Sequence, residues 1–438
     1  MKNTISDMNW LFDGFRKSMK GSSWKEEPQR FEIDFLSELT KLSKELDGRT
    51  YKPSARYEFI LNERGKTRYI HGSRIRDRIV GHSLCDNVLK EALEPYLIYN
   101  NGASQEGKGV SFSREMFERD LHNYWLKRRT NNGYICFVDL SKFYDNIPHE
   151  KVKELVHPHL DEFSTWLFDT LIDDFAVDVS YMSDEEYAHC MDDCFNSIEH
   201  HKHHSKEELT GEKLMPKSVN IGDQVSQNIG IFFPTRIDNY VKIVCGCKYY
   251  GRYMDDMYFI CETKEEIYKI LDGIKEQAKE LGLFINDKKT HVVRLSDNYV
   301  YLQTKYTLSE TGKVIKKIKS TTVTRERRKL KAYKSLLDKG KMPYKDIEQA
   351  YKSWMGNYAK LMSKQQLKNI KQLYIDLFGR DVRWKKKILS HSPLQTARKS
   401  KEQSTETTTL PRETSQNQIS LISTSSEQNL TELPWATT

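Results

Sequence analysis

The chain has 438 residues, of which 70 are basic and 62 acidic, so its formal net charge is +8. The length exceeds the roughly 250–300 residues at which one hydrophobic core stops growing, so we expect two or three subdomains, and the 11% of aromatic residues argue against disorder throughout. No apolar run is long enough to span a bilayer, the first residues do not form a signal peptide, and seven scattered cysteines favour a reducing, cytoplasmic compartment over a disulfide framework.

The first half of the chain predicts helices, a hairpin and one buried strand. Residues 31–46 have the spacing of an amphipathic helix, and residues 57–72 predict two strands around the turn Glu63–Lys66. Helices are expected from Arg76 onward and over 111–129. For the second of these, Ser111 or Ser113 is the candidate N-cap. The apolar run over 133–140 suits a buried strand that carries Asp139 near its end.

The second half predicts a kinked helix, a second hairpin and further helices. Pro234 must kink or end the long helix expected over 225–244. Two strand-like runs flank Met254-Asp255-Asp256, residues 264–283 have clear helical periodicity, and residues 322–378 predict at least two more helices. Residues 391–438 are rich in Ser, Thr, Gln and Asn, so we expect a disordered tail there.

Charge is strongly segregated along the chain. Residues 161–199 contain 12 acidic residues and no Lys or Arg, whereas residues 313–341 contain 12 basic residues against two acidic ones. Residues 380–401 add eight basic residues against one acidic residue. A solvated helix face explains any single run, but two basic runs with Tyr and Trp between them favour a nucleic-acid surface. We therefore expect the basic stretches to line a duplex, with the acidic segment outside that path.

Three carboxylates are embedded in apolar surroundings. Asp139 lies in the buried strand, and Asp255 and Asp256 lie at the tip of the second hairpin. Buried charges are costly unless a cation pairs with them, and the apolar runs beside them, residues 134–138 and 257–261, contain no Lys or Arg. A magnesium ion is the natural partner, because it takes hard oxygen ligands and often bridges carboxylates and phosphates. For an isolated Asp-Asp pair, ordinary turn chemistry is the alternative.

The order of several motifs resembles the reverse transcriptase family. The runs FVDLSKFYDNIP, IGDQVSQNIGIFF, YMDD and LGLFINDKKT resemble palm motifs A to D, while RGKTRYI and DRIV resemble the fingers and YLQTKYTLS the primer grip. The resemblance implies an α+β, right-hand polymerase fold with fingers, an antiparallel palm sheet and a helical thumb. The expected divisions are an N-terminal helical extension (1–54), fingers (55–130), palm (131–312, with an insertion over about 155–217), basic thumb (313–390) and tail (391–438).

The resemblance also assigns roles to single residues. Asp139 and Asp255 would be direct ligands of two Mg²⁺ ions, with Mn²⁺ as a substitute, and Asp256 would support them. Since neighbouring strand residues point to opposite faces, the two hairpin carboxylates need not ligate equally. Tyr144 would be the aromatic gate that favours deoxynucleotides. The remaining expected contacts are triphosphate binding by Lys66 and Arg68, protonation of pyrophosphate by Lys289 (or its neighbour Lys288), and contacts of Gly222, Gln224, Ser226 and Gln227 with the template and nascent pair.

Two features depart from the family pattern. The Gly-Leu-Pro-(Gln/Ile)-Gly of motif B is replaced by Ser218-Val219-Asn220-Ile221-Gly222, and the gap between motifs A and B is enlarged by the acidic segment. That segment also carries the residues His189, Cys190, Cys194, His200, His201, His203 and His204. A solvated His-rich loop is the preferred interpretation, because the spacing lacks a Cys-x-x-Cys pair, and a zinc site is the alternative.

The expected activity is RNA-templated DNA synthesis, with an RNA template, a DNA product and dNTPs as partners. A cognate non-coding RNA is a further candidate partner. The sequence shows no recognisable RNase H, integrase or endonuclease domain, which favours the compact bacterial and phage enzymes, including the unknown-group and abortive-infection types linked to antiviral defence. The alternatives are untemplated or protein-primed DNA synthesis, RNA-directed RNA synthesis, and a nucleic-acid-binding module without activity. Tyr144 and the YMDD sequence favour DNA over RNA as the product.

Overall fold

A computed structural model of the chain describes residues 5–63, 65–202 and 204–382. These residues form two compact units, one made of residues 5–326 and 360–363 and the other of residues 327–359 and 364–382. The predicted tail, the end of the predicted thumb after residue 382, Arg64 in the first hairpin turn and His203 lie outside the described residues.

The N-terminal part of the first unit is helical, with α1 (Met8–Met19), α2 (Glu26–Ile33) and α3 (Phe35–Asp47). The helix predicted over 31–46 is present but is interrupted at Asp34, whose φ of −127° and ψ of 36° lie outside the helical range. The apolar side chains Leu39, Leu42 and Leu46 of α3 are buried, as their spacing predicts.

The predicted first hairpin is confirmed, with β1 (Tyr57–Glu63) antiparallel to β2 (Lys66–Gly72). It is followed by α4 (Ile75–Leu84), a π-helical turn, α5 (Lys90–Leu93) and α6 (Val110–Arg128). The predicted serine N-cap of α6 is wrong. Gly109 occupies that position, and Ser113 is a buried residue inside the helix.

The next part contains the predicted buried strand and the acidic segment. Its elements are β3 (Tyr134–Ser141), α7 (Phe143–Asn146), α8 (His149–Val156), α9 (Glu162–Asp173), β4 (Val177–Asp178), α10 (Asp184–Asp192), α11 (Ser197–His201) and β5 (Leu214–Met215). Strands β4 and β5 pair antiparallel. Between them, Val177, Val179, Met182, Cys190, Phe195 and Met215 form a small core, so the insertion is folded.

A five-stranded antiparallel sheet forms the centre of the first unit. The elements that complete it are α12 (Gln224–Phe232), α13 (Thr235–Asn239), β6 (Tyr250–Tyr253), β7 (Asp256–Cys261), α14 (Lys264–Glu280), β8 (Phe284–Ile285) and β9 (His291–Arg294). The strand order is β6-β7-β3-β8, and β9 also pairs with β3. Pro234 separates α12 from α13 and is the N-cap of α13, as the predicted kink requires.

Strand β3 is buried on both faces because apolar residues occupy both sets of alternating positions. Ile135 and Phe137 pack in a cluster with aromatic residues such as Phe117, whereas Cys136 and Val138 belong to the larger core beneath the helices. Asp139 is the one charged residue of this strand, and it is only 8% exposed. Its position near the end of β3 is therefore fixed by packing on both sides of the sheet.

The remaining elements are a three-stranded sheet and three helices. They are β10 (Tyr299–Tyr301), β11 (Thr304–Leu308), β12 (Val314–Ile318), α15 (Ser320–Asp338), α16 (Tyr344–Tyr358) and α17 (Lys364–Phe378). The basic stretch that begins at Lys313 thus starts as a strand. Within the second unit, the rings of Tyr351 and Tyr374 stack with centroids 4.2 Å apart. No helix in the described part of the chain is long and apolar enough to cross a membrane.

Candidate active site

Asp139, Asp255 and Asp256 come together at one end of the central sheet. Asp139 on β3 lies directly opposite Asp256 in the β3–β7 register, and Asp255 lies in the β6–β7 turn. One oxygen from each carboxylate lies within 4.8 Å of the other two, and no other group of three His, Cys, Asp or Glu residues in the described ranges meets this distance. Asp255 precedes strand β7. The alternation of side chains along a strand therefore does not force Asp255 and Asp256 to point in opposite directions.

The pKa values of Asp255 and Asp256 are raised by burial and by neighbouring negative charge. Burial, followed by the charge of Asp139, raises the pKa of Asp255 above its usual range. For Asp256, desolvation within the cleft acts first and the charges of Asp255 and Asp139 act next, which raises its pKa to about 7. The three carboxylates therefore carry more negative charge than the neighbouring Lys289 and Lys66 neutralise. Three hard oxygen donors with excess charge fit Mg²⁺ or Mn²⁺.

A lysine ammonium already contacts this group. The Nζ of Lys289 lies 2.6 and 2.9 Å from the two carboxylate oxygens of Asp139, while the Lys289 side chain remains 50% exposed. Lys288 is exposed on the adjacent position. The adjacent apolar runs could not indicate this contact, because Lys289 is 150 residues distant from Asp139 in the chain. The contact shows that a cation has access to the carboxylates.

Tyr144 on α7 lies beside the β6–β7 turn. Its hydroxyl is 3.7 Å from the Sδ of Met254, and burial raises its pKa above the usual range. A Cβ atom added to Gly230 on α12 would lie 2.9 Å from the same hydroxyl. A glycine at position 230 thus leaves space for the Tyr144 ring. The sequence of motif B did not indicate this role of Gly230.

Lys66 and Arg68 on β2 act electrostatically on the same site. The charge of Lys66 lowers the pKa values of Asp255 and Asp256, although burial and mutual repulsion outweigh it. The charge of Arg68 acts in the same direction on Tyr144. The β1–β2 hairpin therefore places both predicted triphosphate-binding cations close enough to influence the carboxylates and Tyr144.

The motif B loop is attached to the end of motif A by backbone hydrogen bonds. Ser218 N–H donates to the Ile147 carbonyl at 2.9 Å, and Val219 N–H donates to the Tyr144 carbonyl at 2.9 Å. Ser218 has a φ of +99°, a conformation that glycine adopts without strain and that other residues rarely adopt. At the position of the family's glycine, this serine thus adopts a backbone conformation that glycine accommodates more easily.

The four predicted template-side residues differ in their surroundings. Gly222 has a φ of +101°, which a glycine accommodates. The Gln224 side-chain amide donates to Asp86 at 2.9 Å, and Gln227 accepts a hydrogen bond from the Ser104 hydroxyl at 3.3 Å. Ser226 is fully buried, so its hydroxyl lies inside the protein. Gln227 is the member of this set that lies beside the loop before α6.

A buried ion pair behind the β6–β7 turn was not predicted. Arg252 and Asp238 are both fully buried and joined by three hydrogen bonds of 2.6–3.1 Å. Arg252 also donates to the carbonyls of Met254 at 3.2 Å and Ile231 at 2.7 Å, and the Tyr250 hydroxyl donates to Asp238 at 2.6 Å. The pair thus fixes the turn that carries Asp255 against α12 and α13.

The expectation of a solvated His-rich loop is wrong for His200 and His201. Both lie on α11, the His200 ring stacks on buried Phe195 with centroids 5.0 Å apart, and both ring nitrogens of His201 are buried. The described His and Cys side chains of the insertion do not gather as a metal group. Instead the buried Lys217 ammonium donates to the carbonyls of Cys190, Met191 and Asp193 at 2.9–3.2 Å, which holds the end of α10.

Comparison with known proteins agrees with this geometry. The family model described as reverse transcriptase (RNA-dependent DNA polymerase) matches residues 60–324, more than half of the chain. A search of curated proteins finds none that matches the chain. The match includes the three carboxylates, Tyr144 and Lys289. Enzymes of this family have the right-hand polymerase fold, use divalent metal ions and copy an RNA template into DNA from dNTPs. The chain belongs to the reverse transcriptase family and is an RNA-directed DNA polymerase, a nucleotidyltransferase.

Proposed function

We propose that this polymerase works by two-metal nucleotidyl transfer, with Asp139, Asp255 and Asp256 as the residues that hold two Mg²⁺ ions. The observation that carries the proposal is the approach of the three carboxylates to within 4.8 Å of one another, with an excess of negative charge. When bound, the ions activate the attacking 3′-hydroxyl and stabilise charge on the leaving group. Mn²⁺ is the expected substitute because it takes the same oxygen ligands.

The surrounding residues would bind and orient the substrates. Lys66 and Arg68 would bind the triphosphate, since fixed cations stabilise the charge that develops on its oxygens. The new bond joins the primer 3′-oxygen to the α-phosphorus, and pyrophosphate leaves. Lys289 would donate a proton to that pyrophosphate, and its Nζ contact with Asp139 keeps it within the site. Tyr144 would exclude the ribose 2′-hydroxyl.

The motif B residues would support the template and the nascent base pair. The positive φ of Gly222 allows close backbone approach, and Gln227 offers an amide for adaptable hydrogen bonds. Gln224 and the buried Ser226 would act from beneath this surface, since Gln224 is already engaged with Asp86 and Ser226 faces the interior. We therefore assign direct contact to Gln227 first.

The domain divisions follow the motif order. The β1–β2 hairpin and the helices up to residue 130 would form the fingers, and the five-stranded sheet the palm. Residues 313–390 would form a basic thumb that tracks the primer–template backbone. The charge of residues 313–341 supports this assignment, because Lys and Arg neutralise phosphates. The expected consequence is strong salt dependence of primer–template binding.

We infer a bacterial or phage origin and a cytoplasmic role, with antiviral defence as the leading setting and retroelement mobility as the other. The resemblance of the motif set to compact bacterial enzymes supports this setting. A cognate structured RNA is the partner that such a role implies. Sequencing the nucleic acid that copurifies with the protein tests it: one enriched RNA species supports the proposal, and an unselective sample of cellular RNA contradicts it.

The activity itself is tested with purified protein, primed RNA, dNTPs and Mg²⁺. We expect Asp255→Asn to abolish incorporation, because it removes one charge from the metal group. Asp13→Asn, a change of the same type at a 64%-exposed side chain, should leave incorporation unchanged. Parallel reactions without template and with NTPs separate templated DNA synthesis from the alternative activities. Equal incorporation by wild type and Asp255→Asn would refute the assignment.

A further inference from the structure

The insertion between motifs A and B contacts the β1–β2 hairpin through aromatic rings. Tyr69 on β2 and His201 at the end of α11 lie parallel, with ring centroids 5.7 Å apart and an interplanar angle of 13°. His71 packs edge-on against Tyr69 at 4.7 Å, and Tyr181 packs edge-on against His201 at 5.9 Å. The contact is therefore a continuous row of four rings that crosses from the hairpin into the insertion.

Ring packing, rather than hydrogen bonding, holds this contact. Both nitrogens of His201, the Nε2 of His71 and the Tyr181 hydroxyl are buried without a hydrogen-bond partner among the described residues. Buried polar atoms without partners cost free energy, so such a group in a folded protein calls for an explanation. Offset and edge-on aromatic pairs supply the compensating attraction.

The opposite end of α11 is fixed to the motif A end of the palm. Ser197, the first residue of α11, donates to Asp145 at 3.4 Å, next to the gate residue Tyr144. Just before the helix, Phe195 N–H donates to the Asn146 side chain at 2.7 Å. The short helix α11 thus runs from the gate of the active site to the hairpin and connects the two.

The two faces of β2 have separate duties. Neighbouring residues on a strand point to opposite faces, so Tyr69 and His71 share one face while Lys66 and Arg68 share the other. The first face contacts the insertion, and the second carries the cations whose charges act on the carboxylates and on Tyr144. Any displacement of Tyr69 relative to α11 would move both cations.

We propose that the insertion supports the β1–β2 hairpin through the Tyr69–His201 stack, and that these two side chains are positioning residues for the incoming dNTP. The inference rests on the proposed roles of Lys66 and Arg68 in binding the triphosphate. A hairpin held in place loses less conformational freedom when the nucleotide binds, so the support should act on nucleotide affinity. The acidic segment would thereby influence dNTP binding although it does not itself contact the dNTP.

The experiment compares five variants of the full chain in steady-state incorporation on primed RNA: four single variants and the double variant that combines His201→Ala with Tyr69→Leu. His201→Ala removes the ring, and His201→Phe keeps a ring without its nitrogens. Tyr69→Leu breaks the same stack from the hairpin side. His189→Ala is the matched control, because this histidine lies in the same insertion with a 74%-exposed side chain.

We expect His201→Ala and Tyr69→Leu each to raise the KM for dNTP by about 3- to 10-fold, the range that one aromatic pair provides. The kcat should change by less than about twofold, because the reacting groups are untouched. His201→Phe keeps the ring, so its KM for dNTP should equal that of wild type. The double variant should have the same KM as either single variant, because both substitutions remove the same Tyr69–His201 contact.

Additive effects in the double variant, or a failure of His201→Phe to restore the KM, would overturn the proposal. If His201→Ala does not fold, Tyr69→Leu and His201→Phe decide the matter in its place. The Asp255→Asn variant separates this outcome from the proposed function. Inactive Asp255→Asn together with an unchanged KM in His201→Ala and Tyr69→Leu removes the supporting role alone, whereas fully active Asp255→Asn removes the function on which it rests.

Discussion

Two groups of charged side chains flank the β6–β7 turn, and they neutralise their charges in different ways. Behind the turn, Arg252 and Asp238 are fully buried and satisfy each other and the backbone. In front of it, the half-exposed Lys289 is the one ion-pair partner of the three carboxylates within the described ranges. The first group is complete within the protein, whereas the second could bind further cations. The difference separates the residues that hold the turn from those to which we assign the chemistry.

The largest expected effect comes from removing one partner of the buried Arg252–Asp238 ion pair behind the turn. Arg252→Met leaves Asp238 buried without its partner, so we expect the free energy of unfolding to fall by about 3–5 kcal/mol, measured by urea denaturation. Arg236→Met, which breaks the half-exposed pair with Glu280, should cost less than about 1 kcal/mol. Equal losses in the two variants would show that the buried pair has no special place in the scaffold.

Asp120 sharpens the comparison, because it is a buried carboxylate on α6 that packs against the same sheet and has no ion-pair partner among the described residues. It is 6% exposed and accepts a hydrogen bond from Tyr258 at 2.8 Å, and burial raises its pKa to about 6. The folded state therefore binds this proton more tightly than the unfolded state, and the ionised group lowers stability as pH rises from about 4 to 6. Asp120→Asn should be more stable than wild type by about 3 kcal/mol at pH 8, with the gain vanishing near pH 4.

The control for this pH dependence is Asp238→Asn, which removes the charge that Arg252 requires. It should destabilise the protein at both pH values. Thermal or urea unfolding at pH 4 and pH 8 provides the measurement. A gain in Asp120→Asn that does not depend on pH would mean that the proton is not the cause.

In front of the turn, the removal of the Lys289 side chain tests the proposed proton transfer to pyrophosphate. If it donates the proton to pyrophosphate, Lys289→Ala should lower kcat about 100-fold, at the lower end of what general acids contribute. Lys288→Ala, which removes the same charge from the exposed neighbouring position, should reduce kcat by less than about threefold. Single-turnover incorporation at saturating dNTP measures both. Similar rates in the two variants would assign the proton transfer to another group.

Gly230 lies between the two groups and gives the smallest expected effect. Its carbonyl accepts from Arg252 at 3.4 Å, and a Cβ added to it would press on the Tyr144 hydroxyl at 2.9 Å. Gly230→Ala should cost about 1 kcal/mol of stability and shift the ring, which lowers the preference for dNTPs over NTPs. Gly356→Ala on α16, where a Cβ meets nothing within 4 Å, should instead gain about 0.5–1 kcal/mol. Unchanged sugar preference in Gly230→Ala would argue against the gate.

The cluster of Asp139, Asp255 and Asp256 could be predicted because local patterns mark these residues. An apolar run that contains one aspartate, and two aspartates between two strand-like runs, are visible within ten residues of chain. The hairpins, the kink at Pro234 and most helices followed from the same short-range spacing. The errors at Asp34 and at the N-cap of α6 concern element ends, where one residue's backbone conformation decides the outcome.

The supporting contacts could not be predicted, because their partners are distant in sequence. Nothing in a strand pattern indicates that Arg252 is buried or that a helix will supply Asp238. No sequence pattern marks Lys217, yet it is 1% exposed and holds the end of α10. The histidines suggested a solvated loop because their neighbours are polar, and only tertiary packing places His201 on Tyr69.

The pairing of β4 with β5 has a consequence for how such an enzyme can change. Val177 lies opposite Met215 and Asp178 opposite Leu214, so the chain leaves and re-enters the palm at adjacent points. Residues 179–213 form a cassette on a closed stem, and cassettes of this kind can be gained, lost or exchanged without rerouting the flanking chain. Under the proposed supporting role of the insertion, replacing this one segment would change nucleotide affinity while the carboxylates and the sheet stay as they are.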